Sequence, residues 1–318
     1  MNSNQKNTLT TIVQKGTVTF DAPLSQLTSI KIGGNADALI KIQDIDEIAR
    51  IVRSAADMHI PLYILGGGSN MLFVDEGYHG IVLKLSAGAE QIERDTKMCR
   101  ITFPAGFTSH LASQKATAYG CSGFEGIYGL PGTIGGALYM NSKWPAGNFT
   151  TADKLVSILY MSEDGTTMNL TKDELVFSYG YSVLQKRVGI ILSATFEFEL
   201  ADPKDIQQMC DTVMVYRKKT QPIGVHTAGC VFKNITDEEK KSANLPTTSA
   251  GYLIDQSGLK GERKNGLVIS EKHANFFINE SNATAKDFIY LKEKVKEKVY
   301  NRFHVTLREE VLVVQSTK

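Results

Sequence analysis

The alternation of apolar and polar positions predicts a helix followed by a strand near the start of the chain. Residues 44–58 carry apolar side chains at helical spacing behind a capping aspartate: Ile45, Ile48, Val52 and Ala55. The next stretch, PLYILGGGSNMLF (61–73), is a short apolar run that continues into three glycines. A helix, a strand and a glycine loop in this order predict an α/β unit within residues 1–85.

The middle of the chain changes from helical to strand-like patterning. A helix is predicted over 108–119. In VSILYMSEDGTTMNL, the Asp-Gly pair separates two strand-like runs and predicts a hairpin. Residues 189–200 alternate between apolar and polar positions, as a half-buried strand does. We therefore expect a second domain over residues 86–200.

The C-terminal third begins after the tripeptide ADP. A helix is predicted over 204–219, followed by the loop HTAGCVFKN (226–234). The final helix opens with a capping box from Thr284 to Asp287, and the chain closes on the strand EEVLVVQ. These elements predict a third domain over residues 201–318.

Composition narrows the class of protein. The chain has 318 residues, of which 42% are hydrophobic and 22% charged, as in globular proteins with more than one domain. Its 35 basic and 34 acidic residues leave a net charge of +1, which argues against general nucleic-acid binding. The N-terminus is polar, and no apolar run approaches the ~20 residues that a membrane helix needs. We expect a cytoplasmic protein that binds neither nucleic acid nor a membrane; its oligomeric state stays open.

Four cysteines are spread along the chain: Cys99, Cys121, Cys210 and Cys230. They form no CxxC pair, so the sequence predicts neither a disulfide framework nor a metal site. Inert packing is the simplest explanation for any one of them. Cys230 differs because an Ala-Gly pair precedes it, and small residues let another group approach the backbone closely.

Two glycine-rich segments suggest a phosphate-bearing ligand. GGGSN (66–70) follows a strand and offers consecutive backbone N–H groups, although a tight turn explains it equally well. GLPGTIGG (129–136) has four glycines in eight residues, a loss of folding entropy that suits a backbone approached by a ligand. Neither segment is a GxGxxG or Walker motif. Two such loops, about 65 residues apart, suggest one large ligand with a phosphate and a flat ring.

Six motifs in collinear order resemble the UDP-N-acetylenolpyruvoylglucosamine reductase family, flavoenzymes of bacterial peptidoglycan precursor synthesis. They are TSIKIGGNADALI (28–40), LGGGSNML (65–72), GFEGIYGLPGTIGGALYMN (123–141), TAGCVFKN (227–234), GYLIDQSGLKGER (251–263) and HANFFIN (273–279). The resemblance covers roughly residues 20–315 and fits the family's shorter variant. It implies an α+β fold, with a two-part FAD-binding region of the vanillyl-alcohol-oxidase (PCMH-like) type at 1–85 and 86–200. A C-terminal α/β substrate domain would follow at 201–318.

The resemblance also implies two cofactors, FAD and NADPH, and the residues that bind FAD. Its pyrophosphate would be bound by Gly66, Gly67, Gly68, Ser69 and Asn70. Its flavin portion would pack against Gly129, Gly132, Thr133, Ile134, Gly135 and Gly136. NADPH would reduce FAD, and the reduced flavin would give a hydride to the enolpyruvyl double bond of a UDP-sugar. The neighbouring carbon would then take up a proton.

Catalytic residues follow from the same resemblance. Cys230 occupies the position of the family's proton-donating serine. A thiol with a pKa of about 8.5 is mostly protonated at neutral pH and is a stronger acid than an alcohol. Glu310 matches the carboxylate that assists this proton transfer, with Glu309 as the alternative if the register differs by one residue. The positions that match substrate contacts are Asn234, Arg217 and Asn141.

The sequence departs from the family on the substrate side. The family's catalytic arginine, which binds the substrate carboxylate, is replaced by Gly180 in the run Tyr-Gly-Tyr-Ser. Such a loss typically costs about 10²–10³ in rate unless another cation, such as Lys186 or Arg187, takes its place. Thr220 replaces a lysine that approaches the substrate's diphosphate, with Lys219 beside it.

A third departure is SKWPAGN (142–148), where the family has a run like Ala-Gly-Ala-Tyr-Gly; it puts Trp144 near the expected substrate cleft. With the flavin side intact and the substrate side altered, three functions stay open. They are the reductase itself, a related flavoenzyme acting on another unsaturated acid, and a flavin-binding protein without turnover. Retention of Cys230 and Glu310 argues against the third.

Overall fold

The computed structural model describes residues 1–144 and 149–316, which form both helices and strands. The helices are α1 (Ser3–Ile12), α2 (Ile45–Asp57), α3 (Ser109–Ala118), α4 (Ile134–Tyr139), α5 (Pro203–Thr220), α6 (Asp237–Ser242), α7 (Ala250–Gln256) and α8 (Ala285–Phe303). The strands are β1 (Thr17–Pro23), β2 (Asn35–Ile42), β3 (Leu62–Leu65), β4 (Met71–Phe73), β5 (Tyr78–Leu85), β6 (Gln91–Arg94), β7 (Met98–Pro104), β8 (Cys121–Ser122), β9 (Lys143–Trp144), β10 (Phe149–Thr150), β11 (Leu155–Ser162), β12 (Thr167–Thr171), β13 (Gly189–Leu200), β14 (Thr227–Cys230), β15 (Arg263–Lys264), β16 (Leu267–Ile269), β17 (Phe276–Asn279) and β18 (Leu312–Val314).

Three of the four predicted helices begin at a side-chain cap. The carboxylate of Asp44 accepts a hydrogen bond from the backbone of Glu47 at the start of α2. The Thr108 hydroxyl accepts from Leu111 at the start of α3, and Thr284 forms the predicted capping box of α8. Each cap satisfies a backbone N–H that has no partner within the helix. Local sequence therefore fixes where these helices start.

One compact unit comprises Met1–Ala22, Asp37–Gly67 and His79–Arg217. It contains a sheet in the order β1-β2-β5-β3 and a larger sheet in the order β12-β11-β13-β7-β6, with β8 also paired to β13. The predicted hairpin joins β11 to β12 through Gly165, whose φ of 78° suits a glycine. Ala194, Phe196 and Phe198 of β13 enter the aromatic core of this unit, as their alternation predicts. A register shift against β11 interrupts the pattern before them, so that Ile190 and Leu192 join another buried cluster.

The other unit comprises Pro23–Ala36, Gly68–Tyr78 and Lys218–Lys318. Its sheet has the order β14-β17-β16-β15, and the apolar face of α8 is buried in its core. The early strand β4 pairs in parallel with the last strand, β18. The division into domains at 1–85, 86–200 and 201–318 stays a prediction. Within the part of the chain that the structure describes, no helix has both the length and the apolar character to span a membrane.

Candidate functional site

The two glycine-rich segments meet in space. Gly66 and Gly67 follow β3, and Gly132 leads into α4 within the same unit. A Cβ on Gly67 would overlap the Cα of Gly132, and a Cβ on Gly66 would lie 3.0 Å from Oγ1 of Thr133. The two backbones touch because these positions lack side chains. Part of the glycine requirement therefore comes from the protein packing on itself.

Gly136 is different, because no neighbouring protein atom requires a glycine there. It lies half-buried inside α4, and the atom nearest to an added Cβ is Oγ1 of Thr133, at 3.5 Å. Glycine inside a helix costs roughly 1 kcal/mol relative to alanine. Gly136 thus leaves an open cradle of the kind that a flat ring can fill.

The backbone of the segment around α4 is already hydrogen-bonded within the protein. The N–H of Ile134 donates to the carbonyl of Phe107, and that of Gly135 donates to the carbonyl of Ala105, both at 2.9 Å. The side chain of Ile134 is fully buried in the core. Of these two residues only Gly135, which is half-buried, has surface that a ligand can contact, and the N–H groups of both are occupied.

Among the described residues, four buried polar atoms without partners lie in the same compact unit as this segment. They are Ser109 Oγ, Asn141 Oδ1, Trp144 Nε1 and Arg217 Nε. The backbone N–H of Ser109 donates to Gly132, which places that serine directly beside the glycine segment. Buried polar atoms rarely lack partners in a complete structure. The open cradle and these orphaned atoms fit a large polar cofactor such as FAD.

Cys230 reaches its position through a β-bulge. Three residue steps on β14, from Thr227 to Cys230, lie opposite two steps on β17, from Ile278 to Phe276. The bulge contains Gly229, whose φ of 81° is left-handed, and an added Cβ there would meet no atom within 4 Å. Because directly opposed residues share a face of the sheet, the bulge turns Cys230 to the side away from the core cluster. Cys230 is partly exposed, whereas Cys99, Cys121 and Cys210 are buried.

Glu310 lies beside this thiol. The chain that follows β14 hydrogen-bonds the segment just before β18: Glu310 N–H donates to Val231 O and Lys233 N–H donates to Arg308 O, both at 2.8 Å. Burial, and secondly the negative charge of Glu310, raise the pKa of Cys230 from 9.0 to about 12. The group is consequently a thiol and not a thiolate throughout the neutral range. A protonated, partly accessible thiol beside a carboxylate can act as a proton donor.

Asn275 holds this arrangement together, a role that the sequence alone did not assign to it. Its amide is buried: Oδ1 accepts from Phe232 N–H at 2.9 Å, and Nδ2 donates to Phe232 O at 2.8 Å. Its side chain also hydrogen-bonds Cys230, which opposes the rise in the pKa of that thiol. The available signal was a polar residue in front of the apolar run of HANFFIN.

The structure separates the two candidate glutamates. Glu309 forms ion pairs with Lys292 at 2.9 Å and with Lys296 at 3.2 Å, both on α8. Burial tends to raise the pKa of Glu309, but these two lysines outweigh it and lower that pKa. Glu310 is the residue whose charge acts on Cys230. The predicted register, with Glu310 at the site, is the one that the geometry favours.

Asn70 has a structural task besides its predicted cofactor contact. Its Nδ2 donates to the backbone carbonyl of Glu310 at 3.0 Å, and its own carbonyl accepts from Leu312 N–H at 3.0 Å. Gly68 next to it has φ of 65° and passes so close to Leu27 that a Cβ would overlap the Leu27 carbonyl. Thus the GGGSN segment helps to position the carboxylate next to Cys230.

The three predicted substrate-binding residues occupy different environments. Asn234 Oδ1 accepts from Ala250 N–H at the start of α7, at 3.1 Å. Arg217 on α5 is only 5% exposed and donates from Nη2 to Gly126 O at 2.9 Å; burial lowers its pKa. Asn141, also 5% exposed, follows α4. Arg217 lies next to Gly129, where an added Cβ would be 3.6 Å from its Cδ. Its burial there suits a role in holding the backbone of the glycine segment in place.

The substrate-side departures have clear positions. Gly180 has φ of 60° in a turn where Ser178 and Tyr181 exchange backbone hydrogen bonds. The guanidinium of Arg187 lies 4.9 Å from the ring centre of Tyr160.

The other two departures fall at α5 and at β9. Thr220 is the last residue of α5, and Lys219 beside it is exposed. The Trp144 ring meets Tyr216 edge to face, with ring centres 6.1 Å apart, whereas residues 145–148 of SKWPAGN lie outside the described residues. Within the described ranges, no group of three His, Cys, Asp or Glu side chains is arranged to hold a metal ion.

Comparison with known proteins agrees with this geometry. The FAD binding domain family matches residues 36–171, and the C-terminal domain of UDP-N-acetylenolpyruvoylglucosamine reductase matches residues 221–314. The UDP-N-acetylenolpyruvoylglucosamine reductase of Bacillus subtilis (strain 168) is 35% identical over 300 residues, covering 94% of each chain. That of Anoxybacillus flavithermus is 37% identical over 301 residues, covering 94% of this chain and 95% of its own.

Solved structures place the fold in the same group. The UDP-N-acetylenolpyruvylglucosamine reductase of Thermus caldophilus matches with a TM-score of 0.75 and 29% identity, covering 95% of this chain and 100% of that one. A VAO-type flavoprotein of Myceliophthora thermophila C1 matches with a TM-score of 0.52 and 9% identity, covering 84% of this chain and 70% of its own, which bears on the fold alone. The predicted α+β fold with a FAD-binding region of this type is confirmed. With relatives 35% identical over 94% of its length, the chain belongs to the UDP-N-acetylenolpyruvoylglucosamine reductase family.

Proposed function

We propose that this protein reduces UDP-N-acetylenolpyruvoylglucosamine to UDP-N-acetylmuramate, a precursor of peptidoglycan, with FAD as bound cofactor and NADPH as electron source. The reaction adds one hydride and one proton across the enolpyruvyl double bond. The observation that supports it best is the Cys230 thiol, which is protonated, turned away from the core and placed beside Glu310. A thiol that were only core packing would need neither the bulge nor the carboxylate.

The cofactor would be held by the two glycine-rich segments. Gly66, Gly67 and the next three residues would hold its pyrophosphate, and residues 129–136 would pack against its flavin portion. The chemistry that bound FAD supplies is hydride transfer. The open face at Gly136 and the unpartnered atoms around α4 support this assignment.

Cys230 would protonate the carbon next to the one that receives the hydride. Its pKa of about 12 keeps the proton in place until a strong base, the carbanion or enol formed from the substrate, is generated nearby. The negative charge of Glu310 disfavours the thiolate left behind and so promotes its reprotonation. Asn275 would keep the thiol in the correct orientation through its hydrogen bonds to Cys230 and to the backbone of Phe232.

A second candidate function rests on Gly180. Because the family's arginine is absent, a related flavoenzyme that reduces another unsaturated acid is the alternative. Both candidates predict a yellow, FAD-containing protein, and they differ in the compound that reoxidises the reduced flavin.

The test separates the two half-reactions in an anaerobic stopped-flow instrument, followed by flavin absorbance. NADPH should reduce the flavin, and UDP-N-acetylenolpyruvoylglucosamine should reoxidise it. Cys230→Ala should leave reduction by NADPH unchanged and slow reoxidation by about 10²–10⁴. Cys230→Ser, the matched control, should retain more activity than the alanine variant because an alcohol can still donate a proton. If the substrate does not reoxidise the wild-type flavin, the proposal is wrong; equal loss of both half-reactions in Cys230→Ala would refute the role of the thiol.

A further inference from the structure

The turn around Gly180 is shaped for glycine. Ser178 N–H donates to Tyr181 O at 3.0 Å, Tyr181 N–H donates back to Ser178 O at 3.2 Å, and Gly180 between them has φ of 60°. A residue with a Cβ loses roughly 1–2 kcal/mol in this left-handed conformation. An arginine at position 180 would therefore strain the turn. A cation that binds the substrate carboxylate here has to come from another residue.

The turn is tied to the segment that leads into β9. Asn141 Nδ2 donates to Ser178 O at 2.9 Å. Gln185 Nε2 donates to Tyr139 O at 2.9 Å and to Gly180 O at 3.1 Å. These side-chain hydrogen bonds fix the end of α4 against the turn, so a residue shortly after Asn141 has a defined position relative to Gly180.

Lys143 is that residue. Its Nζ lies 3.9 Å from the ring centre of Tyr179, the neighbour of Gly180. Lys143 is exposed, and a cation resting on an exposed tyrosine ring gains only about 0.5–1 kcal/mol, so a carboxylate can compete for it. The other lysine near the turn, Lys186, lies farther from its ring, with Nζ 5.8 Å from the centre of Tyr181.

We propose that Lys143 binds the substrate carboxylate, taking over the charge that the family's arginine supplies from the position of Gly180. In this chain the positive charge would come from the segment after α4 and not from the turn that contains Gly180. SKWPAGN has a lysine, Lys143, where the family's run has a small residue. A lysine offers a point charge with three donors and lacks the planar fork of arginine. Its charge meets the carboxylate without bidentate geometry.

This inference rests on the proposed function, and its test uses two ligands that differ in the carboxylate. UDP-N-acetylmuramate carries a carboxylate on its lactyl ether, whereas UDP-N-acetylglucosamine has no such group. Their dissociation constants are measured on the FAD-loaded protein from the change in flavin absorbance. Lys143→Met should weaken binding of UDP-N-acetylmuramate by about 10–100-fold and leave UDP-N-acetylglucosamine binding unchanged. Lys143→Arg should retain most of the affinity because it keeps the charge.

Lys186→Met is the matched control, with the same loss of charge on the other lysine of the turn, and it should bind both nucleotides as the wild type does. In stopped flow, Lys143→Met should slow flavin reoxidation by substrate by about 10²–10³ with normal reduction by NADPH. If Lys143→Met binds each of the two ligands as tightly as the wild type does, the inference is overturned and the proposed function still stands. Weaker binding of both ligands to the same extent also overturns it, since that result indicates a structural role. A wild-type flavin that the substrate cannot reoxidise refutes the proposed function, and this inference with it.

Discussion

Replacing Glu310 by glutamine removes the negative charge beside Cys230 and keeps the size of the side chain. In the wild type, burial and this charge raise the pKa of the thiol from 9.0 to about 12. At pH 8 a group with a pKa of 12 is about 10⁻⁴ thiolate, against about 10⁻¹ for one with a pKa of 9. Because burial is the larger cause, Glu310→Gln should lower the pKa but leave it above 9. We expect about tenfold more thiolate at pH 8.

Alkylation by iodoacetamide measures this directly, because only the thiolate reacts. The other thiols, Cys99, Cys121 and Cys210, are fully buried, so peptide mapping by mass spectrometry follows Cys230 alone. In Glu310→Gln the rate at Cys230 should rise about tenfold at pH 8, and the midpoint of its pH profile should move down.

Glu309→Gln is the control, since Glu309 pairs with Lys292 and Lys296 and its charge is not among the causes of the Cys230 shift. It should leave the pH profile of Cys230 alkylation as it is in the wild type. The reasoning is refuted if Glu310→Gln has the wild-type profile, or if Glu309→Gln shifts it as far.

Two further substitutions test the cradle and the support of the thiol. Gly67→Ala should lower the melting temperature even of the FAD-free protein, because the added Cβ would overlap Gly132. Gly136→Ala should keep or raise the melting temperature of the FAD-free protein and should weaken FAD binding in a titration. A loss of FAD-free stability in Gly136→Ala would contradict the open cradle. Asn275→Ala strands the buried N–H and C=O of Phe232, and should lower the free energy of unfolding by about 2–5 kcal/mol in urea titrations. A change below about 1 kcal/mol would mean that water replaces the amide.

The sequence by itself determined the local elements of this protein. The caps at Asp44, Thr108 and Thr284, the hairpin at Gly165 and the alternation of the second half of β13 lie where their residue patterns put them. These features depend on hydrogen bonds and side-chain periods within a few residues, so a short window of sequence contains the cause. The motif resemblance added the family and the identity of Cys230 and Glu310 as a pair.

Only the tertiary structure decided which distant residues act together. It brings Asn70 to the backbone of Glu310, which is 240 residues away along the chain, and sets Glu309 against α8. It also buries Arg217, a residue that the family resemblance matched to a substrate contact, against the backbone of Gly126. Such contacts depend on the register between strands and on which surfaces pack, and a one-residue change of register reverses the face on which a side chain lies. Residue periodicity determines the faces of each element, but long-range packing determines what each face meets.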